Sequence, residues 1–192
     1  MVLSRPLILA SRSPRRLALL TQIGLSVRVA SCDIPEEFDP ALSPARNAER
    51  LARMKADCVA GTVDEGIVLG ADTIVVIDGQ ILGKPTNAED AVRMLARLSG
   101  HTHTVYTGFA LIERPSGAIR SGVEETRVTF RHLPKSEIEE YVRGGSPLDK
   151  AGAYGIQDDY GAVFVTRIEG CYYNVVGLPL ARVFEEITQL ER

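Results

Sequence analysis

Two arginines follow a proline directly after a short apolar run: residues 7–16 read LILASRSPRR. Proline suits the first position of a helix, where its missing N–H would have had no intrahelical partner. Arg15 and Arg16 then occupy the first turn, where backbone N–H groups also lack intrahelical acceptors. The amides, the helix dipole and both guanidinium groups therefore converge on one place for an anion. Ser11 or Ser13 would cap the helix or donate a hydroxyl to that anion. The chemistry suggested is phosphate binding without a Walker loop, against the plainer reading of a capped helix with two solvated arginines.

Further along, Asp72 interrupts an almost wholly apolar stretch, GIVLGADTIVVI. A carboxylate among Val68, Leu69, Ile74 and Val75 needs a cation, a metal or hydrogen bonds to offset its desolvation. It is a candidate general base or metal ligand, with Gly70 permitting close backbone approach. Asp78–Gly79 is a two-residue hairpin signal that folds the next segment back along this strand and carries Lys84, in LGKP, toward it. Lys55, in RLARMKAD, falls four residues after Leu51, on or beside the apolar face of a helix; it either snorkels or faces a pocket. The turn at residues 33–39 holds Asp33, Glu36, Glu37 and Asp39. Glu36 or Glu37 could join Asp72 in holding Mg²⁺ through oxygen ligands. The loop SPLDKAGAYGIQ combines glycines with Asp149, Lys150, Tyr154 and Gln157. It either holds a ligand, Gln157 facing a base edge, or contains only a local ion pair. His101, His103 and His132 lack metal-ligand spacing and read as structural or surface residues. No GxSxG, HExxH, GxGxxG or GxxxxGK[ST] motif occurs, which argues against serine hydrolase, zincin, Rossmann and P-loop chemistry.

These residues must be positioned by an α/β framework. The pattern predicts strands over 7–10, 26–30, 67–77, 80–82, 103–113, 122–131, 161–168 and 172–176. It predicts helices over 13–23, 43–60, 87–98 and 136–142, and a last one begun by Pro179. The long helix places Leu51, Met54 and Cys58 on one face. The sheet is expected to be mixed, strongly twisted and flanked by helices. The 192 residues give one large domain or two closely packed lobes, with 45% hydrophobic and 24% charged residues as in soluble globular proteins. A net charge of −3 shows no basic face for nucleic acid. Three scattered cysteines, Cys32, Cys58 and Cys171, read as free thiols of a reducing compartment. No signal peptide and no apolar run long enough to span a bilayer is visible, so no membrane partner and a cytoplasmic location are expected.

Taken in order, LASRSPRR, the KA pair of ARMKAD, GADT, LGKP, LSGHTHTVYTG, PLDKAGAYGIQ and NVVGLPL resemble the Maf family of nucleoside triphosphate pyrophosphatases over nearly the whole chain. The resemblance implies a single domain over residues 1–192, with an inosine triphosphatase-like fold of two lobes and a cleft. The implied reaction splits a nucleoside triphosphate into monophosphate and pyrophosphate with a divalent cation, Mg²⁺ or Mn²⁺. Carried over by position, Ser11, Arg15 and Arg16 bind phosphates, and Glu36 and Asp72 hold the metal. Asp72 also serves as base, and Lys55 and Lys84 neutralise phosphate charge. The form DKAGAYGIQ is similar to members acting on dTTP, UTP and modified uridine nucleotides, with Thr73 and Gln157 helping to choose the base. A homodimer is implied as well. Alternatives are 7-methyl-GTP specificity, or a nucleotide-binding regulator of septum formation without essential turnover. Two departures stand out. The acidic turn carries Pro35 within DIPEEFD, leaving Glu36 and Glu37 as rivals. After Gln157 come Asp158 and Asp159 where many members have glycine, a pair of carboxylates that would repel triphosphate unless they point outward.

Overall fold

Leu7–Ala10 forms strand β1, and all four residues are buried. It runs between two parallel neighbours, β2 (Val27–Ala30) and β3 (Gly66–Ile77), and the helices that connect parallel strands cover such a strand's faces. The computed structural model describes residues 3–157 and 159–191; Asp158 and the Asp159 side chain lie outside the described residues. Between the strands run helices α1 (Pro14–Gln22) and α2 (Pro44–Ala60). There follow β4 (Gln80–Leu82), α3 (Ala88–Leu98), β5 (Thr102–Arg114), β6 (Ile119–Phe130), α4 (Lys135–Arg143), β7 (Val165–Glu169), α5 (Tyr172–Val176) and α6 (Leu180–Leu190). The strands make one seven-stranded mixed sheet in the order β2-β1-β3-β5-β6-β7, with β4 paired to β3. This is the α/β architecture expected from the pattern. No helix among the described residues is long and apolar enough to cross a membrane.

The chain divides into two compact units, Met1–Asp72 with Thr107–Glu124 and Gly177–Arg192, and Thr73–Tyr106 with Glu125–Val176. In the first unit, Ile8, Ala10, Val68, Ala110 and Ile112 from the strands pack with Ala56, Val59 and Ala60 of α2. Helix α2 lies on the sheet backbone to backbone. A Cβ on Gly70 would stand 2.2 Å from the Ala52 carbonyl oxygen and 2.7 Å from the Ala56 nitrogen, and one on Gly108 would stand 2.3 Å from the Ala48 carbonyl. This contact selects small residues, so the buried stripe of α2 is Ala48, Leu51, Ala52, Ala56 and Val59, while Met54 is only half-buried. Cys58 is not a free thiol. It is bonded to Cys32, with Cα atoms 6.2 Å apart, because the chain leaving β2 passes along α2. That pairing removes the cysteines as grounds for a reducing compartment; Cys171 alone is free.

In the second unit the β3–β4 hairpin turns at Asp78 and Gly79, both at positive φ (50° and 73°), as a type I′ turn requires. Asn87 caps α3 by accepting from the Asp90 amide. Two elements differ from the pattern. Residues 172–176 form helix α5, not a strand: Asn174, fully buried, donates to the Val105 carbonyl and the Thr126 hydroxyl, and Thr126 Oγ1 accepts from the Cys171 amide. Those side-chain bonds outweigh the β-propensity of Val175 and Val176. Residues 161–164 belong to a 3₁₀ turn, and the strand begins only at Val165. His103 is buried as a core residue, edge-on to Phe130 and Tyr154 and hydrogen-bonded to the Tyr154 hydroxyl at 2.7 Å.

Two outcomes follow from this packing. Gly70→Ala forces α2 away from β3 and is expected to lower stability by about 1–3 kcal/mol, as overpacking does; chemical denaturation measures it. Burial lowers the His103 imidazole from 6.5 to about 4. The unfolded chain therefore takes up that proton first as pH falls. Its contribution is complete above pH 6.5 and is lost between 6.5 and about 4, at a slope approaching ~1.4 kcal/mol per pH unit. His103→Gln should flatten the stability profile in that window.

Candidate active site

The turn joining β1 to α1 is organised by Ser11, not by Ser13. Ser13 has extended N-cap geometry but its hydroxyl makes no capping bond. The buried Ser11 Oγ instead accepts from the Ser13 amide at 3.2 Å and from Arg16 Nη1 at 3.0 Å. Arg16 Nε donates to the Gly177 carbonyl at 2.8 Å, so this guanidinium is buried and held from two sides. Burial pulls the Arg16 pKa down, Asp72 opposes that, neighbouring Arg15 adds to it, and Glu36 opposes it again. Arg15 is half-buried in the same helical turn. The arrangement concentrates positive charge at the N-terminus of α1, which suits an anion.

Lys55 closes the other side of this charge cluster. Because Gly70 lets α2 lie on β3, the Lys55 ammonium reaches Asp72 Oδ1 at 2.6 Å and Glu36 Oε1 at 2.6 Å. The Lys55 and Asp72 side chains are 14% and 11% exposed, whereas Glu36 is 47% exposed. Glu36 is thus the carboxylate of the acidic turn that faces the cluster. Glu37 enters through its backbone, its carbonyl accepting from Arg50 Nη2. Arg12 pairs with Asp33 and Ser31 at the start of the same turn. Arg50 and Asn47, which bind this turn, carry no motif signature; a polar residue buried in the first turns of an amphipathic helix was the available signal.

Two carboxylates converging on one part-buried ammonium form an oxygen donor set that a hard divalent cation can use in place of lysine. No group of three or more His, Cys, Asp or Glu side chains gathers among the described residues. Glu36 and Asp72 would therefore supply two ligands, the rest coming from water or a bound phosphate, as is usual for Mg²⁺.

Residues 6–190 match the model of the family described as Maf-like protein. The chain belongs to the Maf-like protein family. Among relatives of this Maf-like protein is the dTTP/UTP pyrophosphatase of Moorella thermoacetica, 52% identical over 179 residues, 93% of this chain and 92% of that one. Another is the dTTP/UTP pyrophosphatase of Chlorobium phaeovibrioides, 47% identical over 189 residues, 96% of this chain and 97% of that one. The solved structure of the Staphylococcus aureus Ham1 protein has a TM-score of 0.48 at 12% identity, over 65% of this chain and 71% of that one.

The remaining expected site residues of this Maf-like protein belong to the second unit. Thr73 follows Asp72 on β3 and is half-buried, Lys84 is exposed two residues beyond the end of β4, and Gln157 is half-buried. The Gly152 amide donates to the Gly83 carbonyl, which draws the Lys84 segment and the loop of Gln157 together. Within that loop Asp149 and Lys150 form the local ion pair, at 2.8 Å, and Tyr154 is a core residue. The buried pair in the first unit makes a stability prediction. Lys55→Met leaves the Asp72 charge without its contact cation and should cost about 3 kcal/mol or more. Adding Asp72→Asn should recover a large part of that loss in a double-mutant cycle read by denaturant unfolding.

Proposed function

We propose that this Maf-like protein hydrolyses dTTP, UTP and modified uridine triphosphates to the monophosphate and pyrophosphate by attack of water at the α-phosphorus. The observation that carries the reading is Lys55 bridging Asp72 and Glu36 at 2.6 Å each, in one charge cluster with Arg16. The names and high identity of the dTTP/UTP pyrophosphatases above support it.

Phosphoryl transfer needs little covalent chemistry from a protein; positioning and charge stabilisation carry the rate. Arg15, Arg16, the Ser11 hydroxyl and the first turn of α1 bind phosphate oxygens. A divalent cation, Mg²⁺ or Mn²⁺, held by Glu36 and Asp72 would supply charge neutralisation and acidify water. Asp72 accepts the proton of the attacking water. Lys55 moves from compensating two carboxylates to stabilising the negative charge that builds on departing pyrophosphate. The roles of Lys84 in neutralising phosphate charge and of Thr73 and Gln157 in choosing the base rest on resemblance to the family, as does a homodimer.

Pyrophosphate release from dTTP, UTP, CTP, GTP, 7-methyl-GTP and ITP, with Mg²⁺ or Mn²⁺, tests the reading. Release should favour dTTP and UTP, and Asp72→Asn should keep the fold while losing about 10²–10⁴ in turnover, the scale of a removed base. Release from 7-methyl-GTP alone overturns the base assignment. Tight nucleotide binding without release overturns the hydrolase assignment in favour of a sensor.

A further inference from the structure

Asn47 is 1% exposed, and its side-chain bonds go to the chain at Asp39, Leu42 and Ser43. Its Oδ1 accepts from the Asp39 amide at 2.8 Å, and its Nδ2 donates to the carbonyls of Asp39, Leu42 and Ser43 at 2.9, 3.2 and 3.4 Å. The start of α2 has its own cap, since Ser43 Oγ accepts from the Arg46 amide. The Asn47 amide group is therefore spent on the chain that precedes the helix. That chain is the acidic turn, which α2 backs along its length. Cys58 bonds Cys32 at the beginning, Lys55 pairs with Glu36, Arg50 donates to the Glu37 carbonyl, and Asn47 takes the end.

We infer that Asn47 is a positioning residue: by clamping Asp39–Ser43 onto α2 it keeps the Glu36 carboxylate within reach of Lys55 and Asp72. The inference rests on the proposed reading in taking Glu36 as a metal ligand. A clamp matters because Glu36 is 47% exposed and lies on a turn, outside any helix or strand. Arg50 holds the Glu37 carbonyl and Asn47 holds Asp39, so losing the Asn47 bonds removes the anchor three residues beyond Glu36. Only a primary amide of this length places an acceptor against one N–H and donors against the facing carbonyls. Aspartate has the same shape and keeps the acceptor, but loses both donors and sets a charge against those carbonyl oxygens. The effect on the cation is indirect, as with residues that orient a ligand without touching the metal.

The test compares the full-length protein with Asn47→Asp. Amide hydrogen exchange is measured without nucleotide or metal, Mn²⁺ binding by electron paramagnetic resonance, and the Mn²⁺ dependence of pyrophosphate release from dTTP. In the wild type the Asp39 amide is protected. In the variant, the amides of Asp39, Ala41 and Leu42 exchange on the order of 10-fold faster, while those of residues 51–60 keep wild-type rates. Mn²⁺ binding weakens about 10-fold, with turnover at saturating Mn²⁺ little changed. An unprotected Asp39 amide in the wild type overturns the inference, and that readout stands even if the variant does not fold. So does a variant loop that exchanges like the wild type, or one that loosens while Mn²⁺ binding is unchanged. If the wild type releases no pyrophosphate from dTTP, the proposed reaction fails, and exchange and Mn²⁺ binding still decide the role of Asn47.

Discussion

A carboxylate in the middle of an apolar strand is the constraint on which the rest of the site depends. Desolvating an ion of this size costs several kcal/mol even after relaxation. A cation near ~4 Å returns about 4 kcal/mol at an effective dielectric of 20, so one close partner roughly balances Asp72 and a second one favours it. Lys55 is the close partner, at 2.6 Å, and Arg16 is the second. Lys55 could not be there without the glycine that admits α2. Gly70 lets the helix backbone touch the strand, and a lysine stem then spans the remaining gap. The small residues of α2 and the charge it delivers are two parts of one solution.

On the proposed reading, the same balance lets a structural ion pair become chemistry. In the protein alone, Lys55 is shared by Asp72 and Glu36, and Arg16 is tied to Ser11 and the Gly177 carbonyl. A polyphosphate with a divalent cation offers both halves of the exchange: new anions for lysine and arginine, and a new cation for the carboxylates. Charges already desolvated and already oriented need little reorganisation when the substrate arrives, which is where electrostatic catalysis draws its advantage.

Much of this was legible in the residues themselves. Helix α2 begins at Pro44 and ends at Ala60, as Ser43–Pro44 and the spacing imply, and the Asp78–Gly79 hairpin falls where its turn chemistry demands. Asp72 and Lys55 stood out for the same reason they matter, a charge in an apolar setting. What local pattern did not carry was long-range. The helix at 172–176 depends on Asn174 reaching Val105 and Thr126, residues distant in sequence. The choice of Glu36 over Glu37 depends on which of two adjacent side chains faces α2. Cys32 and Cys58, 26 residues apart, meet only because the acidic turn follows that helix. Asn47 carries no motif, and its bonds to Asp39 and Leu42 depend on how the acidic turn lies against α2.

The most direct measurement of the central claim is turnover of dTTP in ¹⁸O-labelled water, with the products resolved by mass spectrometry. Water attacking the α-phosphorus places the label in dTMP and leaves pyrophosphate unlabelled, which is the result predicted here. Label in pyrophosphate, or release of single phosphates in its place, would contradict the account.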